Sequence, residues 1–572
     1  MPPKTILPAS VPKTWDLEIQ TSSANQALGI TLNTGTGVSA INLTIDWGDG
    51  TVETFTTTGA KSHTYVSVGT YKMKVYLRAL GTWQFTTNPG LVKKTSAIPF
   101  IPTFPTGARF TSMFRGTAIS TIPPDLFRYN PFTGGTGHFN STFFGCTNLT
   151  TIPAKLFEGQ SPTGGFLNTF NGCSGLTSLP EYLFPVCTIT SFLSFSSTFA
   201  SCTGLTSLPN NLFRNVTISG AFQFGTTFQN CTGLTSLPDD LFQYSNGITG
   251  GFNSTFIGCT SLTSIPADLF RYVTSLAGGL QQTFQNCTGL TSLPADLFRY
   301  NTGLNGSMNS VFQGCTGLTS LPADLFRYNT SLTAFAGTFN GCTGLTSIPT
   351  DFFRYNTSNT IFNQTFIGCT GLTSIPTDIF RYNTNVNTMA AVFSGCTGLT
   401  SIPTDIFRYN TGINTNSPFS QMFLNCTGLT SLPTDIFRYN TAVAASSFSQ
   451  TFKGCTGLTS LPADLFRYNT GVTTTSFQNT FDGCTGLNNY AIDADLLRYC
   501  TSLSGTGTAQ NMFNGVTLDT TAYSNLLVSL DTYLTASSLG FGAGNSKYNT
   551  TATTARANLV ARSWSIVDGG AA

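Results

Sequence analysis

The chain has 572 residues, only 9% of them charged, and its formal net charge is +2. That length is too great for one compact domain and predicts two or three folding units. The small net charge, with no basic cluster, argues against nucleic acid or an anionic membrane surface as a partner. No apolar run reaches the roughly 18 residues of a membrane span. We therefore predict no membrane insertion.

The sequence begins with a separate N-terminal segment, residues 1–14. It lacks the apolar stretch of about 7–15 residues that is typical of a secretory signal. If Met1 is native, we expect synthesis in a cytoplasm. The chain then stays there, leaves by a non-standard route, or leaves by lysis as part of an assembled particle.

Residues 15–82 alternate apolar and polar side chains, which predicts strands with one buried face. An Asp-Gly dipeptide between two such strands is typical of a hairpin turn. The segment resembles a polycystic-kidney-disease-type (PKD-like) domain, a β-sandwich of the Ig-like kind, in its WGDG turn and HTY segment. The residues that carry the resemblance are Trp47, Gly48, Asp49, Gly50, His63 and Tyr65. It implies a spacer or attachment module.

Residues 83–108 are predicted to be a linker, and a repeat follows over residues 109–518. Thirteen cysteines share one register, with Phe three residues before each and Leu three after: Cys146, Cys173, Cys202, Cys231, Cys259, Cys287, Cys315, Cys342, Cys369, Cys396, Cys426, Cys455 and Cys484. Too few apolar residues occur in one repeat to make a core, so successive repeats are expected to stack as a solenoid. One representative structural ladder is Phe312, Cys315, Leu318, Leu321, Asp324 and Arg327.

Each repeat contains two short motifs with predicted structure. The Leu-Thr-Ser-Leu motif predicts one short parallel strand, and Pro-Ala-Asp-Leu-Phe-Arg-Tyr predicts a short helix or turn that begins at proline. The repeat resembles leucine-rich repeats of the bacterial surface-antigen (BspA-like) type, which serve as adhesins, surface antigens and virion parts. At the two ends, Met113 and Gly116, and then Met512 and Gly515, are expected to replace Phe and Cys in capping repeats.

Residues 519–572 are predicted to form a small α/β cap with two helices and a final strand. The helix, tryptophan and Asp-Gly-Gly ending resemble the close of phage and prophage repeat proteins. We therefore expect a phage-encoded chain.

The chemistry-bearing residues favour architecture over catalysis. There are only two histidines, and the cysteines form no Cys-x-x-Cys pair, so we predict no catalytic residue, metal site or cofactor. The registered cysteines are expected to be buried free thiols, and only Cys187 and Cys500 lie outside the register. The recurring Asp and Arg are expected to pair along the stack, and the Thr-Ser hydroxyls to bond to one another or bind a regular ligand. Variable segments after Arg-Tyr-Asn reflect either drift or recognition of a partner.

The sequence thus predicts a non-enzymatic phage virion protein: a capsid decoration, fibre or tail-associated adhesion protein on the virion surface. Its partners would be other capsid or tail proteins, a host-surface glycan or protein, or further copies of the chain. A bacterial cell-surface adhesin is the alternative. An enzyme acting on glycans is a more distant one.

Overall fold

The structure is a computed structural model that describes residues 13–34, 40–101, 110–131, 137–189, 194–220, 223–245, 247–248, 251–274, 276, 279–413 and 415–572. The chain divides into two compact halves, Met1–Cys287 and Thr288–Ala572. Most of the predicted segment 1–14 and part of the predicted linker lie outside the described residues. The described part is mostly strands and turns, with few helices. None of its helices is long and apolar enough to cross a bilayer.

The N-terminal half begins with eight strands whose neighbours in each sheet are antiparallel. The strands are β1 Trp15–Gln20, β2 Gln26–Asn33, β3 Asn42–Asp46, β4 Val52–Phe55, β5 Gly59–Tyr65, β6 Thr70–Ala79, β7 Thr82–Thr87 and β8 Val92–Thr95. They form one sheet in the order β4-β3-β6-β1-β8 and a second in the order β5-β2-β7. Alternate side chains of β1 are buried, as expected for a strand with one face on a core.

β8, and all of β7 after its first residue, lie in residues 83–108 that the sequence assigns to the linker. β7 pairs with β2, and β8 pairs with β1. Trp83 and Phe85 alternate with polar residues and are buried, so this segment carries the same strand signal as residues 15–82. The sheets therefore extend to Thr95, and Trp15 meets Phe114 of the first repeat edge-on at 5.8 Å.

Most of each repeat consists of consecutive turns joined to the next repeat by backbone hydrogen bonds. In the segment before Cys342, the Thr338 N–H donates within its turn to Phe335 at 3.2 Å, and the Cys342 N–H donates to Phe339 at 3.2 Å. Between these two residues, the Phe339 N–H donates to the Thr365 carbonyl of the following repeat at 2.9 Å. Backbone groups thus alternate between local and inter-repeat partners, which satisfies both.

The predicted strand in Leu-Thr-Ser-Leu is not formed in any described repeat. The extended stretch is only a few residues long and ends at proline, which has no N–H to donate. In several repeats one backbone hydrogen bond to the preceding repeat remains there, such as Thr346 N–H to the Thr319 carbonyl at 3.3 Å.

Parallel pairing occurs instead in the variable segments. In the N-terminal half these are β9 Cys187–Ile189, β10 Val216–Gly220 and β11 Gly247–Ile248. In the C-terminal half, single parallel bridges join Ser307, Ala334, Ile361 and Thr388 in succession. The segments of least constant sequence are therefore the ones that pair as strands.

The Pro-Ala-Asp-Leu-Phe-Arg-Tyr motif forms turns, as one of the two predicted options. The Leu325 N–H donates to Pro322 at 3.2 Å, and the Arg327 N–H donates to Asp324 at 3.0 Å. Both bonds span three residues, and no helix follows.

The end repeats differ by one residue from the predicted alignment. Phe114, not Met113, stacks on Phe143 at 5.4 Å, and the Thr117 hydroxyl lies 3.4 Å from the Cys146 sulfur. At the other end, Phe513, not Met512, stacks on Phe481 at 5.4 Å. In both end repeats, the spacing from the stacked phenylalanine to the isoleucine or leucine that takes the place of the strand leucine is one residue shorter than in the other repeats. Counting back from that residue at the usual spacing therefore reaches the methionine instead of the phenylalanine.

The C-terminal segment confirms the two predicted helices and the final strand. Its elements are α1 Thr520–Tyr533, β12 Gly540–Gly542, α2 Thr553–Ala561 and β13 Ser565–Val567, with β12 and β13 parallel. Asp568 accepts two hydrogen bonds from Arg556, at 2.9 and 3.0 Å, and one from the Tyr523 hydroxyl at 2.8 Å. Burial alone would raise the pKa of Asp568, but these bonds outweigh it and lower the pKa.

Candidate functional site

The PKD-like motif residues gather around the loop between β3 and β4. Trp47 stacks on His63 with centroids 4.7 Å apart, and His63 Nε2 lies 2.7 Å from an Asp49 carboxylate oxygen. The Tyr65 hydroxyl donates to the Trp47 carbonyl at 3.2 Å. Gly48 has φ +84°, and a Cβ there would lie 2.6 Å from the Lys72 carbonyl oxygen. These contacts hold the loop in place, and Gly50, at φ +96°, completes its turn.

The Asp49 carboxylate has several donors in this cluster. Burial would raise its pKa, but the Thr51 backbone N–H and His63 outweigh burial and lower it. Because the carboxylate and the imidazole are held by each other and by the Trp47 ring, the arrangement is that of a packed loop.

Phenylalanines stack along the repeats of each half. Phe143 and Phe170 lie 5.3 Å apart with ring planes 4° apart, and in the C-terminal half Phe312 and Phe339 lie 5.7 Å apart with planes 10° apart. Such stacked aromatic pairs contribute about 0.5–1.5 kcal/mol each beyond buried area. Leu318 and Leu321 are buried beside them.

All fifteen cysteines are buried, and none of them forms a disulfide. Most registered ones lie within 3.0–3.2 Å of the carbonyl oxygen of a phenylalanine in the preceding repeat, as Cys369 does with Phe339 at 3.2 Å. Burial raises the pKa of Cys202, and also of Cys187 and Cys500, to about 12. The nucleophilic thiolate is therefore suppressed, and the thiols serve as packed donors between repeats.

Two further ladders join neighbouring repeats and were missed from the sequence. The buried Asn356 amide donates to the Phe326 carbonyl at 3.1 Å and the Asn329 carbonyl at 2.9 Å, both in the preceding repeat. The buried Thr338 hydroxyl is 3.0 Å from the Met308 carbonyl. The signal was present: Asn and Thr recur at fixed distances from the cysteine, but polar residues suggested surface.

The Asp and Arg of the ladder pair within one repeat, not along the stack. Arg327 lies 3.6 Å from Asp324, and both side chains are about half exposed. Along the stack, the Arg327 guanidinium lies over the Tyr328 ring at 5.7 Å and over Tyr355 of the next repeat at 5.4 Å. The resulting surface, here called the Arg–Tyr face, repeats through the C-terminal half and ends where Arg498 meets Tyr533 of α1 at 4.1 Å.

The repeats match one family model. It is described as "Mycoplasma protein of unknown function, DUF285", and it matches residues 251–374, 333–465 and 361–494. The last two matches start one repeat apart, so the model describes the repeat itself.

Two solved structures are similar to the chain at low identity. One is a leucine-rich cell-surface protein of Faecalibacterium prausnitzii, with 18% identity, a TM-score of 0.27, and coverage of 62% of this chain and 75% of that one. The other is the TLR13–ssRNA13 complex, with 14% identity, a TM-score of 0.14, and coverage of 80% and 87%. A search of curated proteins gives no match.

The regular surface is interrupted in the N-terminal half, in the repeats of Cys146 and Cys173. A groove of about 570 Å³ lies there, lined by residues of three repeats, among them Lys155, Glu158, Gln160, Glu181, Tyr182 and Asn215. We call it the interruption groove. In the described residues, those of the groove included, no three His, Cys, Asp or Glu side chains are grouped to hold a metal ion.

Proposed function

We propose that the chain is a non-enzymatic binding protein of the BspA-like leucine-rich-repeat type, an adhesin at a bacterial cell surface. In this proposal the repeats form a solenoid over residues 109–518, and the PKD-like domain is a spacer or attachment module. The constant residues of each repeat contact the neighbouring repeats, so the variable segments are the part that can recognise a partner. For this reason we propose adhesion as the role.

The observation that carries the proposal is how the variable segments are held. In the C-terminal half, most begin after a buried asparagine that is bonded to the preceding repeat, such as Asn356, and most end at a stacked phenylalanine, such as Phe362. Between them, Ile361 bridges to Ala334 and Thr388 in parallel. Variable side chains on a fixed backbone are suited to recognition, since little ordering is needed on binding.

The location is argued from the family match. The model whose matches lie within residues 251–494 is described as a Mycoplasma protein, which supports a bacterial protein; the cell surface is our proposal for its location. The virion remains a separate prediction, with capsid or tail proteins as partners, and rests on the phage-like C-terminal ending.

The location is tested by labelling intact source cells with an antibody to the chain, beside mass spectrometry of any phage particles they release. We expect labelling of intact cells that protease treatment removes. Presence of the chain in purified particles, with no labelling of intact cells, would overturn the cell-surface proposal.

Adhesion is tested with beads coated with the full chain and applied to cultured epithelial cells. Two triple variants carry the same change, to Arg, on different surfaces. The first alters exposed variable positions: Ser331, Ser358 and Asn385. The second alters exposed constant positions: Ser320, Ser347 and Ser374. We expect only the first to reduce adhesion, whereas equal adhesion by both variants would contradict the proposal.

A further inference from the structure

The interruption groove exists because two repeats lack the bulky residues of the Arg–Tyr face. Gly159 and Val186 stand where most repeats of the C-terminal half carry tyrosine, and Pro185 stands where they carry arginine. Glu158 also replaces an arginine and so reverses its charge. The missing rings and guanidinium leave an open volume of about 570 Å³, within the range of small-ligand sites.

Tyr182 is held in the groove wall by an unfavourable backbone. Its φ is 54°, in the left-handed region, and the same repeat position is Asp351 in the C-terminal half, with φ 58°. Aspartate tolerates this region, whereas a bulky ring there is strained. Arg214 supports the ring, since it lies 5.7 Å from the centroid and donates to the hydroxyl at 3.3 Å. Strain of this kind clusters at ligand sites.

A buried polar residue also lines the groove. Gln160, which is only 1% exposed, replaces the ladder asparagine, and its amide donates to the Phe127 carbonyl at 3.0 Å. Its Oε1 is buried without a protein partner, and Gln160 lines the groove. The ladder asparagines carry the same kind of buried, unpartnered oxygen, as Asn356 does, so this oxygen belongs to the ladder and the polar contacts of the groove come from its other side chains.

We infer that the interruption groove binds a neutral carbohydrate, an inference that rests on the proposed binding function and names a ligand class and site for it. A sugar hydroxyl both donates and accepts. The groove supplies acceptors in Glu158 and Glu181, and donors in the Lys155 ammonium and the Asn215 amide. The Tyr182 ring and the 79%-exposed Val186 offer apolar contact for a sugar's C–H groups. A basic peptide would meet Lys155 as a like charge and would leave the groove's donors unpaired.

The inference is tested by saturation-transfer NMR on the full chain with glucose, galactose, N-acetylglucosamine, lactose and cellobiose at millimolar concentration. We expect transfer to at least one sugar. Tyr182→Asp removes the ring but installs the residue that this backbone prefers, so the variant is expected to fold. It should weaken binding at least 10-fold, as should Glu181→Gln. Asp296→Asn, the matched charge change on the Arg–Tyr face, should leave binding unchanged.

Three outcomes would overturn the inference: no transfer to any of the five sugars, transfer that survives both groove variants, or binding of a lysine-rich peptide in place of sugar. Bead adhesion by the Tyr182→Asp variant separates this inference from the proposed function. If the wild-type chain supports full adhesion but binds none of the sugars, the carbohydrate inference is refuted and the adhesin proposal stands.

Discussion

The tight approach of neighbouring repeats gives a sharp test at one glycine. Gly371 follows Cys369 in the Thr-Gly-Leu motif, and its N–H donates to the Thr343 carbonyl at 3.1 Å. A Cβ on Gly371 would lie 2.6 Å from that carbonyl oxygen and 3.1 Å from the Leu345 carbonyl oxygen. Both obstacles are backbone of the preceding repeat, so they cannot swing aside. We therefore expect Gly371→Ala to push two repeats apart.

The size of the effect follows from two costs. Overpacking a tight site costs about 1–3 kcal/mol, and weakening the inter-repeat hydrogen bond adds about 0.5–1.5 kcal/mol. We expect a loss of about 3 kcal/mol in the free energy of local opening, which is on the order of a 100-fold rise in the opening constant. Gly412→Ala is the matched control, because its Cβ would meet only the Thr384 carbonyl, at 3.6 Å.

The assay is native-state hydrogen exchange of the amides in residues 335–372. Stability in stacked repeats is local and coupled to neighbours, so the change is expected there before it appears in a global melting curve. Gly412→Ala should be neutral or stabilising, by up to about 1 kcal/mol. Exchange in Gly371→Ala within a factor of two of wild type would refute the close-approach reasoning.

Three further predictions concern buried groups and one surface group. Asp568→Asn should destabilise the C-terminal segment by about 3 kcal/mol, measured by urea unfolding. Because the folded pKa of Asp568 is lowered, its stabilisation is complete above the unfolded value of 3.8 and is lost as the pH falls below it; unchanged stability between pH 5 and pH 3 would contradict this. Cys202, whose pKa is raised to about 12 by burial, should resist iodoacetamide at pH 8 until urea is added, so native labelling would count against it. Asn383→Ala should lower the free energy of unfolding by about 1–3 kcal/mol because it removes two buried hydrogen bonds. Arg381→Ala on the half-exposed Arg–Tyr face should lower it by under about 1 kcal/mol. A larger drop in melting temperature for Arg381→Ala than for Asn383→Ala would contradict both assignments.

The apolar part of the fold could be predicted from the sequence because its period is strict. Phe339, Cys342 and Leu345 recur in every repeat at the same spacing, and a residue type that repeats without a local helical or strand period must contact its own copies. The structure places them in the buried stacks. The C-terminal helices were predictable for the ordinary reason that α1 has helical spacing and an Asp519 cap.

The polar part could not be predicted in the same way. An asparagine recurs at the position of Asn356 in seven consecutive repeats, yet asparagine is usual in exposed turns, so its recurrence did not show that the amide is buried. The Arg327 contact with Tyr355 joins residues of different repeats, whereas the sequence suggested aspartate and arginine as the pair along the stack. The location of strand pairing depends on which backbone N–H groups face the next repeat. The pattern of side chains in the sequence does not indicate the direction of those groups.

The interruption groove shows a different limit. Lys155 and Tyr182 are visible in the sequence as departures from the repeat, but departures occur at many positions. Only the structure shows that these two line one groove together with Gln160. A search for adjacent departures at the same repeat positions would have found the site.

The nearest-neighbour character of the ladders bears on how such a gene changes. Phe339 touches Phe366, and Phe366 touches Phe393, with nearly the same geometry each time. Excision of residues 340–366 would bring Phe339 against Phe393 and recreate the same junction. Recombination between similar repeats can therefore lengthen or shorten the protein by whole repeats without a compensating mutation. Copy number becomes a heritable variable that leaves the folding of each remaining repeat unchanged.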